Sequence, residues 1–408
     1  MTSVYGPVTD WATDFDHVDP EYSKNIYEIW DTLKSSGCPI AHTERYGGTW
    51  LPLTYEMVHE IAYDTDRFSS VRPVVGQFKP SDQPMALPAP IGPVPPISSD
   101  PPFHTDARRL LLPAFSPKQI DPLRKVLEDY CNELIDNMGD KEYLEVSKEF
   151  TQNIPVMIIC HMLGFPLSDI DKFLEWIHVV LESVNAPIGS RQDQMMALGE
   201  YIQRHIEDRK VNPGDDLITY LLNAEMYGEK LSDRHVHGTV LLALIAGIDT
   251  TWSAMGSSLL HLATNPVDRR RLVENPSMIP QAVEEFLRAY APVTMARIVT
   301  EDTEFHGVQM KKEDWVLLPF PAANRDENEF EDPATVNIDR EVNRHSAFGL
   351  GIHRCIGSNL ARLEINVAVE VFLKRFPDFE LNTDEEVRYS TGQVRGPRYL
   401  PFRVLRRG

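Results

Sequence analysis

Apolar positions recur at helical spacing along most of the chain. Residues 20–36 place Ile26, Ile29, Trp30 and Leu33 on one stripe, which predicts an amphipathic helix. A turn at Tyr46-Gly47-Gly48 leads into a short strand over residues 47–53, and residues 54–63 predict a second helix. Residues 116–226 read as a run of helices, broken at Phe165-Pro166-Leu167-Ser168 and Ala186-Pro187-Ile188-Gly189. The longest helical pattern covers residues 231–263, with Ser232 placed as its N-cap. Its centre, residues 240–248, is apolar on every side, as in a helix buried within a large core. Pro280 opens a further helix that Pro292 ends. Residues 298–318 read as strands around a turn at His306-Gly307, and residues 390–404 as a hairpin.

Residues 71–99 break the pattern. They carry many prolines and no period, and a loop this long within a compact chain is functional or disordered. Its apolar residues (Val74, Val75, Phe78, Met85, Leu87, Ile91, Val94) favour a loop that packs over something. The whole pattern predicts a mainly α fold with small β-sheets.

The chain has 408 residues, a length that alone suggests two or three domains. It shows no linker-like break, so one large domain is expected. The formal net charge of −21 argues against nucleic-acid binding, which needs a basic footprint. The four cysteines, Cys38, Cys131, Cys160 and Cys355, form no CxxC pair and no disulfide-like spacing, which fits a reducing cytoplasm. The acidic N-terminal stretch does not resemble a targeting segment. The apolar run at 240–248 is far short of the ~20 residues needed to cross a bilayer, so no membrane anchor is expected.

Chemistry concentrates at Phe348-Gly349-Leu350-Gly351-Ile352-His353-Arg354-Cys355-Ile356-Gly357. This glycine-rich loop delivers one cysteine to the mouth of a helix that starts at Ser358. Unpaired N–H groups and the positive dipole end there favour a thiolate. A lone cysteine in such a turn is ordinarily a buried free thiol. A zinc site would need three or four ligands at metal-like spacing, and only His345, His353 and Cys355 cluster. The full pattern Phe-Gly-x-Gly-x-His-x-Cys-x-Gly resembles the haem-binding signature of cytochrome P-450.

The long helix carries a second pattern, Ala246-Gly247-Ile248-Asp249-Thr250-Thr251. A glycine, an acid and two hydroxyls cost helix stability there, and back-bonded threonines at a kink are one account of them. The resemblance gives another, since this matches the family's groove for dioxygen. It implies that Asp249 and Thr250 are the acid–alcohol pair that delivers protons, with Thr251 as an alternative hydroxyl. Leu242, Ala246 and Thr250 are spaced by four, so they share one face.

The resemblance covers nearly the whole chain and implies one cytochrome P-450 domain over residues 1–408, with no fused reductase. Haem b (iron protoporphyrin IX) is then expected between the long central helix and the cysteine-loop helix. Cys355 would be its metal ligand. Phe348, His353 and Gly357 would line it, and His104, Arg108 and Arg297 would bind propionates. Val293 and Met295 on the strand after Pro292, and Val394 at the hairpin tip, would meet substrate together with Leu242 and Ala246. Glu285 and Arg288 look like the family's buried structural pair. Many members place an arginine where this chain has Thr335, which leaves Arg340, Arg344 or a smaller network to complete that pair.

The implied activity is a haem-thiolate monooxygenase that activates O2. It would hydroxylate or O-dealkylate a small apolar molecule, an aromatic or aryl ether first. The alternatives are a terpenoid or aliphatic substrate, or a haem-thiolate peroxygenase or isomerase. The chain shows no flavin-binding or iron–sulfur cysteine pattern, so a separate ferredoxin or flavodoxin with its reductase is implied. Arg108, Arg109, Arg124, Lys125, Arg354 and Arg362 would form its docking face on a cytoplasmic monomer.

Overall fold

The computed structural model describes residues 5–37, 39–76, 79, 81, 92–182 and 188–408, with backbone alone for 177–182 and 188–192. Cys38, Phe78, Met85, Leu87 and Ile91, and the turn at Ala186-Pro187, lie outside the described residues.

Eight helices position the site: α1 (Pro20–Ser35), α2 (Tyr55–Tyr63), α3 (Phe103–Leu111), α4 (Leu123–Met138), α5 (Asn153–Leu163), α6 (Asp233–Thr264), α7 (Ile279–Ala289) and α8 (Ser358–Arg375). The 32-residue α6 is the axis of the core, and the Ser232 side chain caps it by accepting from the His235 N–H. Val240, Leu244, Ile248, Met255 and Leu259 are fully buried along it. Gly247 lets α5 approach, because a Cβ there would sit 2.5 Å from Ile159 Cδ1. By length and composition α6 is apolar enough to span a bilayer, but 61% of its most apolar window is buried inside the protein. It is a core helix, packed on α5, α7 and α8.

The main sheet comprises β1 (Ile40–Thr43), β2 (Thr49–Pro52), β3 (Phe68–Ser69), β4 (Thr294–Val299) and β5 (Trp315–Pro319), in the order β1-β2-β5-β4-β3. Sequence pattern locates β2 but not β1 or β3, which are too short to show alternation. The C-terminal hairpin differs from expectation. It pairs β6 (Arg388–Tyr389) with β7 (Pro397–Tyr399). Pro401–Arg406 leaves it to join a separate sheet with Asp378–Leu381 and Tyr143–Glu145. Glu145 anchors the bend by accepting the Leu400 N–H at 2.8 Å. The described end of the proline-rich loop lies on α6, where the Thr239 hydroxyl donates to the Pro95 carbonyl. A Cβ at Gly238 would meet the Pro93 carbonyl at 2.6 Å.

The core also holds a buried ionic knot. Arg288 and Glu285 are both wholly buried, and the Arg288 Nε and Nη2 donate to the two Glu285 oxygens at 2.8 Å each. Arg340 supplies the cation that Thr335 lacks, with its Nε 3.0 Å from Glu285 Oε2. Thr335 contributes its backbone carbonyl to Arg288 instead, at 2.9 Å. Glu285→Gln strands two guanidinium groups with no counter-charge. It is expected to cost about 3–5 kcal/mol, read by denaturant unfolding. Removing the exposed pair Lys24–Glu386 should move stability by no more than about 1 kcal/mol.

Candidate active site

The cysteine loop closes on itself through backbone. The Cys355 N–H donates to the Phe348 carbonyl at 2.7 Å, and the Gly349 N–H to Ser346 at 2.8 Å. Gly351 has φ +66°, and a Cβ there would lie 2.3 Å from the Ala62 carbonyl of α2, so only glycine lets the loop seat on that helix. Cys355 stands just ahead of α8 and is exposed. The protein around it nevertheless pushes its thiol up, against the Gly357 N–H, Arg108, Arg354 and Arg362, which pull it down. The helix mouth, the Gly357 N–H and the three arginines are thus the features around the loop that favour a thiolate. Iron held there would complete the deprotonation, because a coordinating thiol is deprotonated outright.

Midway along α6 the packing opens, and the most accessible residue there lies on the Leu242–Thr250 line. Ala246 is exposed, and Leu242 and Thr250, a turn to either side, are half-buried. The Thr250 hydroxyl donates to the Ala246 carbonyl at 2.8 Å, while Thr251 is buried on another face. Asp249, also buried, turns away from that line, because consecutive helical residues point about 100° apart. Its carboxylate pairs with Arg398 of β7. Arg398 also donates from Nη1 to the Ser253 hydroxyl at 2.9 Å and lies 4.1 Å over the Trp252 ring. Sequence reasoning missed Arg398, which stands 149 residues from Asp249.

Val293 and Met295, two apart and both half-buried, share a face at the start of β4. The hairpin tip joins them, with Val293 bridged to Val394 and the Thr294 N–H donating to the Gln393 carbonyl at 2.9 Å. The following residues fasten the tip to α6, since a Cβ at Gly396 would meet Ser253 Cβ at 2.3 Å. The hairpin thus ties the Val293–Met295 wall to the helix that carries Ala246 and Thr250.

His104 and Arg108 on α3, Arg297 on β4 and His353 in the cysteine loop lie near one another. The His104 and His353 rings lie 4.1 Å apart. The Arg108 Nη2 donates to the Arg354 carbonyl at 2.5 Å. Arg297 is buried and donates to the Ala296 carbonyl at 2.8 Å. Burial holds His104 down at about 4 and Arg297 at about 10. Burial also takes His353 down to about 2, with Arg297, His104 and Arg108 adding to it. Among the described residues no carboxylate pairs with Arg108 or Arg297. Both ring nitrogens of His104 and the His353 Nε2 are buried without partners. The nearby Asp100 is engaged by the Ser69 hydroxyl and the Ser70 N–H, at 2.5 and 2.7 Å. Buried or half-buried donors gathered in this way suit carboxylates, and they fit the two that haem b carries.

A sequence model of the cytochrome P450 family matches residues 53–397. The chain is 38% identical over 290 residues to the polyketide biosynthesis cytochrome P450 PksS of Bacillus subtilis (strain 168), covering 70% of this chain and 71% of that one. The solved structure of PksS superposes with a TM-score of 0.85 at 31% identity, over 96% of this chain and all of that one. Vitamin D(3) 25-hydroxylase of Pseudonocardia autotrophica is 33% identical over 360 residues, 87% of this chain and 88% of that one. CYP109E1 of Bacillus megaterium, solved with testosterone, gives a TM-score of 0.85 at 28% identity, over 95% of this chain and 100% of that one. The cysteine loop, the long core helix and these likenesses lead to one conclusion: the chain belongs to the cytochrome P450 family, monooxygenases that hold haem b through a cysteine thiolate.

Proposed function

We propose that residues 1–408 form one haem domain that hydroxylates an uncharged, largely apolar substrate with electrons from a separate ferredoxin or flavodoxin. Cys355 is the protein ligand, and His104, Arg108, Arg297 and His353 seat the propionates. When bound, thiolate-ligated haem supplies dioxygen activation, the thiolate favouring O–O cleavage. The chain's own residues do the rest. Leu242, Ala246, Val293, Met295 and Val394 exclude water and hold substrate by apolar contact. Thr250 and Asp249 move protons.

The observation that carries this reading is that the middle of the core helix stays accessible along Leu242–Ala246–Thr250, with Ala246 exposed. None of these side chains is charged, nor are those of the Val293–Met295–Val394 wall, so a charged substrate would enter without a counter-ion. The relatives' names bear on size. A polyketide-pathway enzyme, a vitamin D(3) hydroxylase and a methyl-branched lipid ω-hydroxylase favour a larger occupant than the small aromatic or aryl ether suggested by sequence.

Optical titration of the ferric holoprotein tests this. The panel should include small aromatics, aryl ethers, terpenes, steroids, macrolides and fatty acids. Uncharged apolar compounds are expected to shift it from low to high spin, and charged ones of equal size are not. A shift confined to charged compounds would overturn the assignment of the apolar walls.

A further inference from the structure

The expected docking face is largely neutralised. Arg109 pairs with Asp106 at 3.0 Å, Arg124 with Glu128 at 3.0 Å and Glu370 at 2.5 Å, and Lys125 with Asp129. These basic groups are well exposed, and such pairs exchange readily with solvent or a partner. Arg362 is held differently. Its Nε and Nη2 donate to the two oxygens of Glu284 on α7, at 2.5 and 2.9 Å, a bidentate fork. Its guanidinium carbon lies 4.4 Å from the centre of the Phe348 ring. Both its donating edge and one face are therefore occupied within the protein.

Glu284 holds a second neighbour of Phe348. The Nε2 of His345 lies 3.1 Å from Glu284 Oε2, and the Ala347 N–H donates to His345 Nδ1 at 3.2 Å. A backbone N–H can only donate, so Nδ1 is the acceptor and the ring proton sits on Nε2, facing the carboxylate. Burial works to raise the Glu284 carboxyl, but hydrogen bonds from His345 and Arg362 prevail and hold it at about 2. Phe348 in turn receives the Cys355 N–H on its carbonyl. One anion on α7 thus governs both side chains that bracket Phe348, and Phe348 is hydrogen-bonded to Cys355.

We propose that Glu284 is a positioning residue for the cysteine loop: it keeps Arg362 over the Phe348 ring, balances its charge beside Cys355, and thereby sets the reduction potential of the bound haem. Arg362 then belongs to this inner device and not to the docking face. The inference rests on Cys355 being the haem ligand. Arg362 is one of three arginines whose charge is felt at the Cys355 sulfur. With Glu284 neutralised, that charge acts uncompensated and favours the reduced form, which carries one more electron.

The experiment is spectroelectrochemical titration of substrate-free holoprotein carrying Glu284→Gln, Arg362→Gln, or both. Glu284→Gln is expected to raise the potential by about a tenfold change in the one-electron equilibrium constant, about 59 mV. Arg362→Gln is expected to lower it, and the double variant to return near the starting value. Opposite signs that cancel identify charge compensation, because a merely loosened loop moves both variants the same way. Shifts of the same sign, or none, overturn the proposal. If Glu284→Gln does not fold, Glu284→Asp takes its place: the shorter carboxylate draws the anion away from Arg362, so a small rise is expected, and a fall or no change overturns the proposal. Lack of a thiolate-type ferrous–CO band in the unmutated protein would instead sink the underlying ligand assignment.

Discussion

Cys355→Ser is expected to remove the thiolate spectrum and nearly all oxygenation while leaving the protein folded. The replacement is close in size, and the loop is closed by groups that it does not touch. The Cys355 N–H still meets the Phe348 carbonyl, and Gly351 still seats on α2. His104, Arg108, Arg297 and His353 remain to receive carboxylates in the proposed role, so haem is expected to stay associated. The loss falls on the ligand itself. A hydroxyl is a far weaker acid than a thiol and gives the iron much less electron density, so the push toward O–O cleavage goes. Ferrous–CO absorption and product formation are the two measurements. A variant that keeps the thiolate-type band and oxygenates at the original rate would remove Cys355 from the ligand role. Nothing else in the loop then offers a sulfur, because Cys131 and Cys160 are buried in the helical core.

What sequence disclosed here was what neighbours in sequence decide. The cysteine loop lies within ten residues, and α6 declares itself by an apolar run with a capping serine in front of it. His104 and Arg108 share a helix face, so their convergence needed only a helix. Features set by distant chain segments were illegible or left open. Thr335 signalled a missing arginine, but only packing chose Arg340, 55 residues beyond Glu285. The bond of Arg362 to Glu284, 78 residues before it, forms only in the folded chain. The hairpin was drawn too long because Pro401–Arg406 joins strands that sequence could not associate with it.

Thr250→Ala is expected to keep haem and substrate binding but to divert most electrons to hydrogen peroxide, and Asp249→Asn to slow turnover by about a hundredfold. The geometry gives the two residues separate parts. Thr250 lies on the accessible line of α6, and its proton is directed to the Ala246 carbonyl, which leaves its oxygen free to accept another. Asp249 faces the other way, bound by Arg398, and Arg398 is itself part-exposed. In the proposed route Asp249 takes up a proton from solvent beside Arg398, which stays a cation throughout, and passes it to Thr250. For the acid to serve the alcohol, its carboxylate must leave the guanidinium and swing across the helix. Asparagine holds no proton to pass on, so Asp249→Asn stops that route at its middle step. Alanine at 250 removes the last carrier while the apolar wall keeps its shape, so electrons arrive without protons placed for productive use. Thr251→Ala is the control, since that side chain is buried on a different face. Peroxide formed per electron pair, measured beside product, separates the cases. Tight coupling in Thr250→Ala with leakage in Thr251→Ala would transfer the role to Thr251. Full turnover in Asp249→Asn would leave the Asp249–Arg398 pair as a clamp between α6 and the C-terminal hairpin and nothing more.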